Sequence, residues 1–486
     1  GEAIKFVGRL ASGMFLLIVV YQVVRAQPAR LVGLLWALAL GAGISALLGL
    51  GEVAGWPVLD PVLQAFKVAP TRVGGDLRLS ASFQYATIAA AFFEVAAPLA
   101  LVLAAIQPGH QRGRWLLATG IAAVCSAAVV FTLTRASIVA LAAGLLLLLA
   151  LAAARPRWYR LALPTALAGG AGALALVGLA VGMRNFGSRF ETENDWGWYA
   201  ASYDVPATIT VAAGASTDAV VTARNTGEVV WTTVGPQNFA LGYRWLSSDA
   251  DSQLDMPATI LDLPHDVAPG DAVQLNVDVG TRLPPGDYRL AWGMLQQQVL
   301  WFHDRGFPDA ETVVHVVAGN SPSPAPAVDL RPRSDLQPAP PPVPRTELWG
   351  AALMMLRQRP LLGVGPDNFR HIYGTYLGLP AWDDRVHANN LYLELLADVG
   401  VLGALAFGVL VALPILGLLR GLRKRTAPAQ AVLVAGLCAS LLAYLLHSGL
   451  DAFLDFTSVY LLLWVVLGLS LAAPELNACE LSEPAG

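Results

Sequence analysis

Residues 360–403 read "PLLGVGPDNFRHIYGTYLGLPAWDDRVHANNLYLELLADVGVLG", in which a glycine-rich loop, a polar cluster and the start of an apolar helix follow one another. The polar cluster contains Arg385, His387, Asn389 and Asn390 and ends directly before the helix. Polar and ionisable side chains are costly at the mouth of a membrane helix, so they usually mark a place where a substrate is handled. This stretch therefore predicts a membrane-spanning segment and the region in which to look for function.

The composition of the whole chain agrees with a membrane protein. Of its 486 residues, 55% are hydrophobic and only 14% are charged, and the mean hydropathy is +0.55. A crossing needs about 20 mostly apolar residues. Nine segments meet that requirement: 6–24, 31–50, 86–106, 115–133, 137–154, 161–183, 396–419, 429–448 and 457–473. We therefore expect a polytopic α-helical membrane protein with six spans, a large loop and three further spans.

The short loops predict the orientation, because arginine and lysine collect on the cytoplasmic side of a membrane. The basic residues that share one face are Arg25, Arg30, Arg112, Arg114, Arg155, Arg157, Arg160, Arg420, Arg423, Lys424 and Arg425. In a plasma (inner) membrane, the 184–395 region is then extracytoplasmic. The same alternation places residue 1 outside, and the chain opens on Gly1, so we expect an N-terminal piece with an odd number of spans to precede it.

Composition also excludes some classes of protein. Cys125 and Cys438 lie in predicted spans and Cys479 lies in the C-terminal tail, so no disulfide framework is predicted. The net charge of -4 is mild, and no basic stripe with interleaved aromatic residues occurs. Nucleic acid is therefore not an expected partner.

Between the two groups of spans the pattern changes to short alternating runs, such as "ATITVAAG" and "AVQLNVDVG", separated by turn residues. Alternation with a period of two predicts an antiparallel β-sandwich. A proline-rich stretch that follows, "GNSPSPAPAVDLRPRSDLQPAPPPVPRT", should form an extended linker. The predicted domains are a first transmembrane part (1–190), a sandwich (191–318), a linker (319–346), a loop with the candidate site (347–395) and a second transmembrane part (396–486).

The motifs "RNTGEVVW", "YRW", "VAPGD" and "LPPGDYRLAWGM" resemble the four-tryptophan Ig-like domain of autophagy receptors and bacterial surface proteins. The four corresponding residues are Trp231, Trp245, Trp292 and Trp301. Exposed aromatic rings would make the sandwich a carbohydrate- or protein-binding module. The alternative, which we favour, is that the tryptophans fill the core of the sandwich.

Outside the sandwich, five motifs in this order resemble the O-antigen ligase and polymerase superfamily: "RLSASFQYATIAAAFFEVAAPLAL", "VVFTLTRASIVALAAG", "RPLLGVGPDNF", "HANNLYLELLADVGVLG" and "HSGLDAFLDF". The resemblance implies a membrane glycosyltransferase that uses an undecaprenyl-diphosphate-linked glycan as donor, outside the cytoplasm and without a metal or another cofactor. The acceptor would be a hydroxyl of a glycan, a lipid or a protein. Members of the superfamily have twelve spans, which implies that three precede this chain.

Arg135 interrupts about forty otherwise apolar residues, where a charge costs about 2.5 to 3.5 kcal/mol at a helix centre. A guanidinium that forks onto phosphate oxygens suits a lipid diphosphate and its departure, and the family has a similar Ser-Arg-Gly-like turn. The alternative is an arginine that merely reaches the interface. Arg78, with Lys67 and Arg72 in the same loop, either completes a cationic cradle or only solvates that loop.

His387 is the candidate base, because an acceptor hydroxyl must lose a proton and an imidazole with a near-neutral pKa suits that task. The family motif is a histidine followed at once by Asn, Ser or Gln, and nine residues later by Gly-x-x-Gly, which Gly400 and Gly403 fit. Here Asn389 precedes Asn390, and the histidine lies two positions further upstream. His387 either reaches the same point from an irregular loop or orients the substrate, with Arg385, Asn389 and Asn390 as binding residues.

Three further features remain open. Glu394 shares a helix face with Asp398, and it either solvates the interface or positions His387 or a sugar hydroxyl. The turn "GVGPDNF" (363–369) offers N–H groups for an anion, although it lacks the spacing and the lysine of a P-loop. His447, Asp451 and Asp455 flank the last short turn and either line the same cavity or end helices.

The predicted function is glycosyl transfer of the ligase or polymerase type, with His387 as the catalytic residue and Arg135, Arg78, Arg385, Asn389, Asn390 and Glu394 as substrate-binding residues. One alternative is a transporter or flippase of lipid-linked or anionic substrates. Many transporters contain an inverted repeat with broken helices, and this sequence shows no such repeat. Another is a surface adhesion or sensor protein in which the sandwich acts, but six preceding spans exceed the needs of an anchor.

Overall fold

The structure is a computed structural model, and it describes residues 2–67, 71–107, 111–154, 159–182, 186–187, 189, 192, 194–234, 237–250, 252–281, 283–319, 329–333, 341–423 and 428–476. Arg155, Arg157, Lys424, Arg425, Cys479 and most of the predicted linker lie outside the described residues. The chain divides into two units. The first comprises Gly1–Arg72, Leu77–Arg184 and Val343–Gly486, and the second comprises Val73–Asp76 and Asn185–Pro342.

The first unit is helical. In chain order its helices are α1 (Glu2–Ala26), α2 (Ala29–Val53), α3 (Asp60–Gln64), α4 (Ala86–Ile106), α5 (Arg112–Phe131), α6 (Arg135–Ala154), α7 (Tyr159–Gly182), α8 (Arg345–Gln358), α9 (Phe369–Leu377), α10 (Leu391–Arg423), α11 (Pro428–Ser448) and α12 (Thr457–Ala472). Within the described residues, nine of these helices are long and apolar enough to cross a membrane, which excludes only α3, α8 and α9. The prediction of a polytopic helical membrane protein is confirmed.

Helix α4 forms the centre of this unit. Its sequence "ATIAAAFFEVAAPLALVLAAI" is rich in alanine, and small side chains let neighbouring helices approach closely. Gly436 of α11 shows how close the approach is, because a Cβ atom at that position would lie 2.0 Å from Cγ2 of Val102. Polar side chains of α4, such as the fully buried Glu94, are therefore packed against neighbouring helices.

Helix α10 begins earlier than predicted and is interrupted. The predicted span starts at residue 396, whereas the helix starts at Leu391 and breaks at Gly400, where φ is 64° and ψ is -173°. A Cβ at Gly400 would lie 2.4 Å from the carbonyl carbon of Leu361. The break therefore makes room for the loop before α9, and it separates a short helical segment with Glu394 and Asp398 from the long apolar span.

Buried apolar contacts hold that short segment in place. Helices α8 and α9 pack against it through a cluster of buried side chains, namely Leu348, Ala351, Ala352, Met355, Phe369, Tyr373, Ala388 and Ala397. The indole Nε1 of Trp349 also donates to the carbonyl oxygen of Ala388 at 3.0 Å. The loop between α9 and α10, which contains His387, is thus held in place.

The second unit is a β domain, as predicted, and its strands are β3 (Ala201–Asp204), β4 (Thr208–Ala212), β5 (Ser216–Asn225), β6 (Phe239–Leu246), β7 (Ser252–Leu254), β8 (Thr259–Asp262), β9 (Ala272–Gly280), β10 (Gly286–Gln296), β11 (Leu300–Trp301), β12 (Ala310–Val317) and β13 (Leu330–Pro332). A small hairpin of β1 (Arg72–Val73) and β2 (Asp76–Leu77) precedes them in the chain. One sheet has the order β13-β7-β6-β10-β12-β4, with β8 on β6 and β11 on β10, and the other has the order β3-β5-β9. Strands β12 and β4 pair in parallel, and the other pairings in these two sheets are antiparallel.

The tryptophans of this domain are mainly core residues. Trp231, Trp245 and Trp292 are buried in its hydrophobic cluster, and Trp301 is half-buried, with its ring 5.4 Å from the guanidinium of Arg244. Burial of three of the four rings supports the core interpretation over sugar stacking. Assignment to the four-tryptophan Ig-like type stays a prediction.

Candidate functional site

A polar cavity of about 320 Å³ lies in the helical unit, where the first turns of α1 meet the loops before α9, α10 and α12. Its lining consists of one aromatic and six ionisable residues: Lys5, Phe6, Arg9, Asp367, Arg370, His387 and Asp455. Ionisable groups gathered at the end of membrane helices indicate a functional site. We call the end of the bundle that carries this cavity the site end.

His387 is held by Glu394. Nδ1 of His387 lies 2.7 Å from Oε1 of Glu394, and the backbone N–H of Ala388 donates to Oε2 at 2.8 Å. The side chain of Glu394 is 10% exposed and that of His387 is 16% exposed. These contacts have the geometry that a positioning role for Glu394 would require, and that role stays a prediction. The carboxylate also lies in the first turn of α10, where the helix dipole favours a negative charge.

Asp455 approaches His387 from the loop before α12. Its Oδ1 accepts a hydrogen bond from Nη1 of Arg9 at 2.6 Å, and its Oδ2 lies 3.6 Å from Nδ1 of His387. Arg9 also donates to the backbone carbonyls of Leu454 and Asp455, at 3.2 and 2.9 Å. Helix α1 is thereby bound to this loop, and a guanidinium is placed in the cavity. Sequence reasoning missed Arg9, although an arginine within an apolar helix is itself a signal.

Asp367 and Arg370 form the opposite wall. Nε and Nη2 of Arg370 donate to Oδ1 and Oδ2 of Asp367 at 2.7 and 2.8 Å, which is the bidentate geometry of a strong ion pair. Both residues lie in or beside the first turn of α9. No local pattern in the sequence distinguishes Arg370 from an ordinary surface arginine, so it also was not predicted.

The N–H groups of the glycine-rich turn 363–369 bond to other parts of the protein and not to an external anion. The N–H groups of Val364 and Gly365 donate to the carbonyls of Ala397 and Asp398, at 2.8 and 2.9 Å. Those of Asp367 and Phe369 donate to the carboxylate of Asp398, at 2.9 and 2.8 Å. The expectation of an anion-binding turn is therefore wrong, because the turn is docked onto the short helical segment before Gly400. The carboxylate of Asp398 thus holds the backbone of Asp367 at the cavity through a hydrogen bond.

The charged groups in the cavity shift the pKa values of one another. Burial alone would lower the pKa of His387, but the hydrogen bond to Glu394 and the negative charges of Glu394, Asp455 and Asp367 outweigh burial and raise the pKa to about 9. His387 is therefore mainly protonated at neutral pH, in contrast to the near-neutral pKa expected of a base. Burial raises the pKa of Asp455, against the opposing charge of His387. Burial also opposes ionisation of Asp367, but the ion pair with Arg370 prevails and lowers its pKa.

Arg78 and Arg135 are not among the residues that line the polar cavity. Nε of Arg78 donates to the carbonyl of Thr132 at 2.8 Å, and its Nη2 donates to Oγ1 of Thr134 at 3.0 Å. Arg135 follows directly and begins α6. This turn belongs to the site end, because Ser137, in the first turn of α6, contacts His447 in the last turn of α11. Lys67 is buried in an ion pair with Glu52 and donates to Oγ of Ser80 at 2.6 Å, so it does not take part in a cationic cradle.

Two of the three other predicted binding residues in this segment, Arg385 and Asn390, make local contacts within the chain. Arg385 forks onto Asp383 with two contacts of 2.8 Å, and its side chain is 81% exposed, outside the cavity lining. Oδ1 of Asn390 accepts the N–H groups of Tyr392 and Leu393 at 3.1 Å, which makes Asn390 the N-cap of α10. Asn389, at the place of the family histidine, is half-buried with φ of 49°, a left-handed conformation that asparagine tolerates.

A second polar cluster is buried among the helices beneath this end. Nδ1 of His447 lies 3.0 Å from Oγ of Ser137 and 3.0 and 3.1 Å from the two oxygens of Glu94. Charged or polar side chains from α4, α6 and α11 thus satisfy one another, as buried groups must. His447 therefore does not line the cavity, whereas Asp455 does. Asp451 is half-buried, and its backbone carbonyl accepts the N–H of Leu391 at 3.1 Å.

An apolar groove of about 320 Å³ lies between α1, α10 and α12. It is lined by Phe6, Arg9, Leu10, Met14, Leu395, Val399, Gly403, Ala406, Phe407, Leu410, Leu454, Tyr460 and Trp464. Phe6 and Arg9 line both this groove and the polar cavity. An apolar surface among membrane helices is therefore adjacent to a cluster of cations.

Within the described residues, one trio has the side chains and spacing to hold a metal ion: the ligand atoms of His387, Glu394 and Asp455 all lie within 4.8 Å of one another. These residue types ligate zinc and similar ions. Here, however, each carboxylate already has a positive partner, since Glu394 bonds His387 and Asp455 bonds Arg9. The arrangement therefore fits an ion-pair network better than a metal centre.

Residues 342–408 match the family model described as O-antigen ligase. The matched segment contains Asp367, Arg370, His387 and Glu394, and it confirms the resemblance found from the sequence motifs in that part of the chain. No curated protein matches the chain.

Proposed function

We propose that this chain, with its O-antigen ligase segment at residues 342–408, is a membrane glycosyltransferase that moves glycan from a lipid-diphosphate-linked donor to an acceptor hydroxyl on the extracytoplasmic side. The observation that carries the proposal is the continuity of the apolar groove with the polar cavity through Phe6 and Arg9. A molecule with a long apolar tail and an anionic head needs both surfaces side by side.

The donor then enters laterally. Its isoprenoid tail, of the undecaprenyl type, occupies the groove between α1 and α10, where it exchanges contacts with lipid tails for contacts with apolar side chains. Its diphosphate lies in the polar cavity against Arg9, Arg370 and protonated His387. Arginine suits this role because its planar fork matches phosphate oxygens.

The same cations contribute to the chemical step. When the anomeric carbon is attacked, the bond to the diphosphate oxygen breaks and negative charge grows on the leaving group. Preorganised cations stabilise that charge in the transition state, and such stabilisation is usually the largest single contribution to catalysis. An inverting displacement without a metal cofactor is consistent with this set of groups.

Arg135 and Arg78 bind the acceptor. Their turn belongs to the same end of the bundle as the cavity, through the contact of Ser137 with His447. Acidic sugars or phosphates of a glycan, lipid or protein acceptor would pair with these cations. Asn389 lies next in the chain to the N-cap of α10 and remains available to the acceptor.

The test uses the full-length protein in liposomes with a lipid-diphosphate-linked oligosaccharide and candidate acceptors. Glycan transfer is measured by mass spectrometry of the products, and donor binding is measured separately. Transfer by the wild type, with loss of donor binding in Arg9→Gln, supports the proposal. Movement of the donor across the bilayer without formation of a glycosidic bond would overturn it in favour of a transporter.

A further inference from the structure

We propose that Asp455, and not His387, accepts the proton of the acceptor hydroxyl. This inference rests on the proposed glycosyl transfer and assigns the base within that same site. It arises from comparison of the carboxylates in and around the polar cavity.

Three of the four carboxylates have both oxygens engaged. Glu394 accepts from Nδ1 of His387 and from the N–H of Ala388. The oxygens of Asp367 are held by the two arms of Arg370. Those of Asp398, which is buried, accept the N–H groups of Asp367 and Phe369. Protonation of any of these three carboxylates would weaken hydrogen bonds or ion pairs on both of its oxygens, because a neutral acid is a weaker acceptor than a carboxylate.

Asp455 differs in both geometry and exposure. Its side chain is 31% exposed and lines the cavity. Only Oδ1 makes a close ion pair, with Arg9 at 2.6 Å. Oδ2 lies 3.6 Å from Nδ1 of His387, which is too long for a hydrogen bond, so this oxygen can accept one from a substrate hydroxyl in the cavity.

His387 is poorly suited to the role of base. Nδ1 is committed to Glu394 at 2.7 Å, and the surrounding carboxylates keep the ring protonated at neutral pH, with a pKa of about 9. A protonated imidazole has no lone pair with which to accept a proton. It does supply a positive charge next to the leaving diphosphate, and it orients Asp455 electrostatically.

Glycosyl transfer proceeds as a single displacement. The acceptor oxygen forms a bond to the anomeric carbon of the donor while its proton moves to Oδ2 of Asp455. The bond between the anomeric carbon and the diphosphate oxygen breaks, and the electron pair leaves with the lipid diphosphate. Asp455 releases the proton to solvent through the exposed side of the cavity before the next turnover.

The charged groups that face Asp455 belong to four elements: Arg9 on α1, Asp367 before α9, His387 before α10 and Glu394 on α10. Burial and the two neighbouring carboxylates raise the pKa of Asp455, while His387 and Arg9 oppose that shift. Activity should therefore rise with pH as Asp455 ionises, and it should fall again as His387 loses its proton near pH 9.

The experiment compares Asp455→Asn and Asp455→Glu with the wild type in the liposome assay. We expect Asp455→Asn to lower kcat by a factor of about 10² to 10⁴, the usual contribution of a general base, with donor Kd changed by less than about threefold. The Glu variant should restore part of the rate. Asp384→Asn is the matched control, because Asp384 is an exposed carboxylate in the loop between α9 and α10 and does not line the cavity.

The pH profile separates a base from a structural residue. The acid limb of kcat should be altered in Asp455→Glu and absent from the residual activity of Asp455→Asn, while the basic limb near pH 9 remains. Unchanged transfer by Asp455→Asn, or a loss of donor binding equal to the loss of rate, would overturn the assignment while leaving glycosyl transfer intact. If the wild type itself forms no glycosidic bond, the proposed function and this inference both fail.

Discussion

The carboxylate of Glu394 binds the ring of His387 and the backbone of the next residue at once, with Oε1 2.7 Å from Nδ1 of His387 and Oε2 2.8 Å from the amide nitrogen of Ala388. The first turn of α10 thus fixes an imidazolium in the cavity. A charged, oriented histidine is a consequence of helix geometry, because the N-cap Asn390 sets where Glu394 emerges.

Glu394→Gln should lower the pKa of His387 from about 9 toward its ordinary value, because the hydrogen bond and the charge of Glu394 are the main causes that raise it. The basic limb of the pH–rate profile should move to lower pH, and transfer at pH 8 should fall. Glu347→Gln, on the exposed side of α8, is the control. A basic limb that stays near pH 9 in Glu394→Gln would contradict this account.

Stability should depend on the same pair. The pKa of His387 is raised in the folded protein above its ordinary value of 6.5, so its contribution to the stability of the fold is complete below about pH 6.5 and is lost as pH rises through about 9. We expect the Tm in detergent to fall between these values in the wild type, and to fall less in His387→Gln. Equal slopes in the two proteins would show that another group carries the pH dependence.

Gly400→Ala should destabilise the fold by more than about 1 kcal/mol, because Gly400 has φ of 64° and an added Cβ would lie 2.4 Å from the backbone of Leu361. The docked turn 363–369 would be displaced, and with it Asp367 and Arg370. Gly408→Ala is the matched control in α10, since nothing lies within 4 Å of a Cβ there. Thermal unfolding in detergent checks the pair, and similar Tm values for both variants would refute the argument.

Arg370→Gln and Arg385→Gln test which arginine of the segment meets the donor. Each guanidinium forks onto a nearby aspartate, but Arg370 lines the cavity and Arg385 is 81% exposed. Donor Kd should rise at least tenfold in the first variant, since charge-assisted bonds are worth roughly 1.5–3 kcal/mol, and by less than about threefold in the second. The reverse order would return Arg385 to the binding site that the sequence suggested.

The sequence predicted the membrane spans and singled out the segment with His387 and Glu394, but not the set of residues that lines the cavity. Nine spans are visible because apolar length is a local property. His387 and Glu394 are seven residues apart, so their pairing lies within the reach of sequence reasoning. Arg9 and Asp455 are separated by 446 positions, and no local pattern records that α1 meets the loop before α12. The polar side chain of Asn390 suggests substrate binding when the sequence is taken alone. An asparagine before an apolar helical run is, however, also an N-cap signal.

Filling the apolar groove should weaken the use of donors with a long isoprenoid tail. Ala406 lines the apolar groove between α1 and α10, whereas its neighbour Leu405 is 61% exposed and does not line it. Ala406→Trp should fill part of the groove and raise KM at least tenfold for a donor with a long isoprenoid tail, because the tail loses buried apolar contacts. A donor analogue with a very short tail should be used equally well by the variant and the wild type, since its diphosphate still reaches Arg9. Leu405→Trp adds the same side chain one position away and should leave both KM values unchanged. An equal loss for the long and short donors in Ala406→Trp would mean that the tail binds elsewhere, and the lateral entry of the donor would then have to be abandoned.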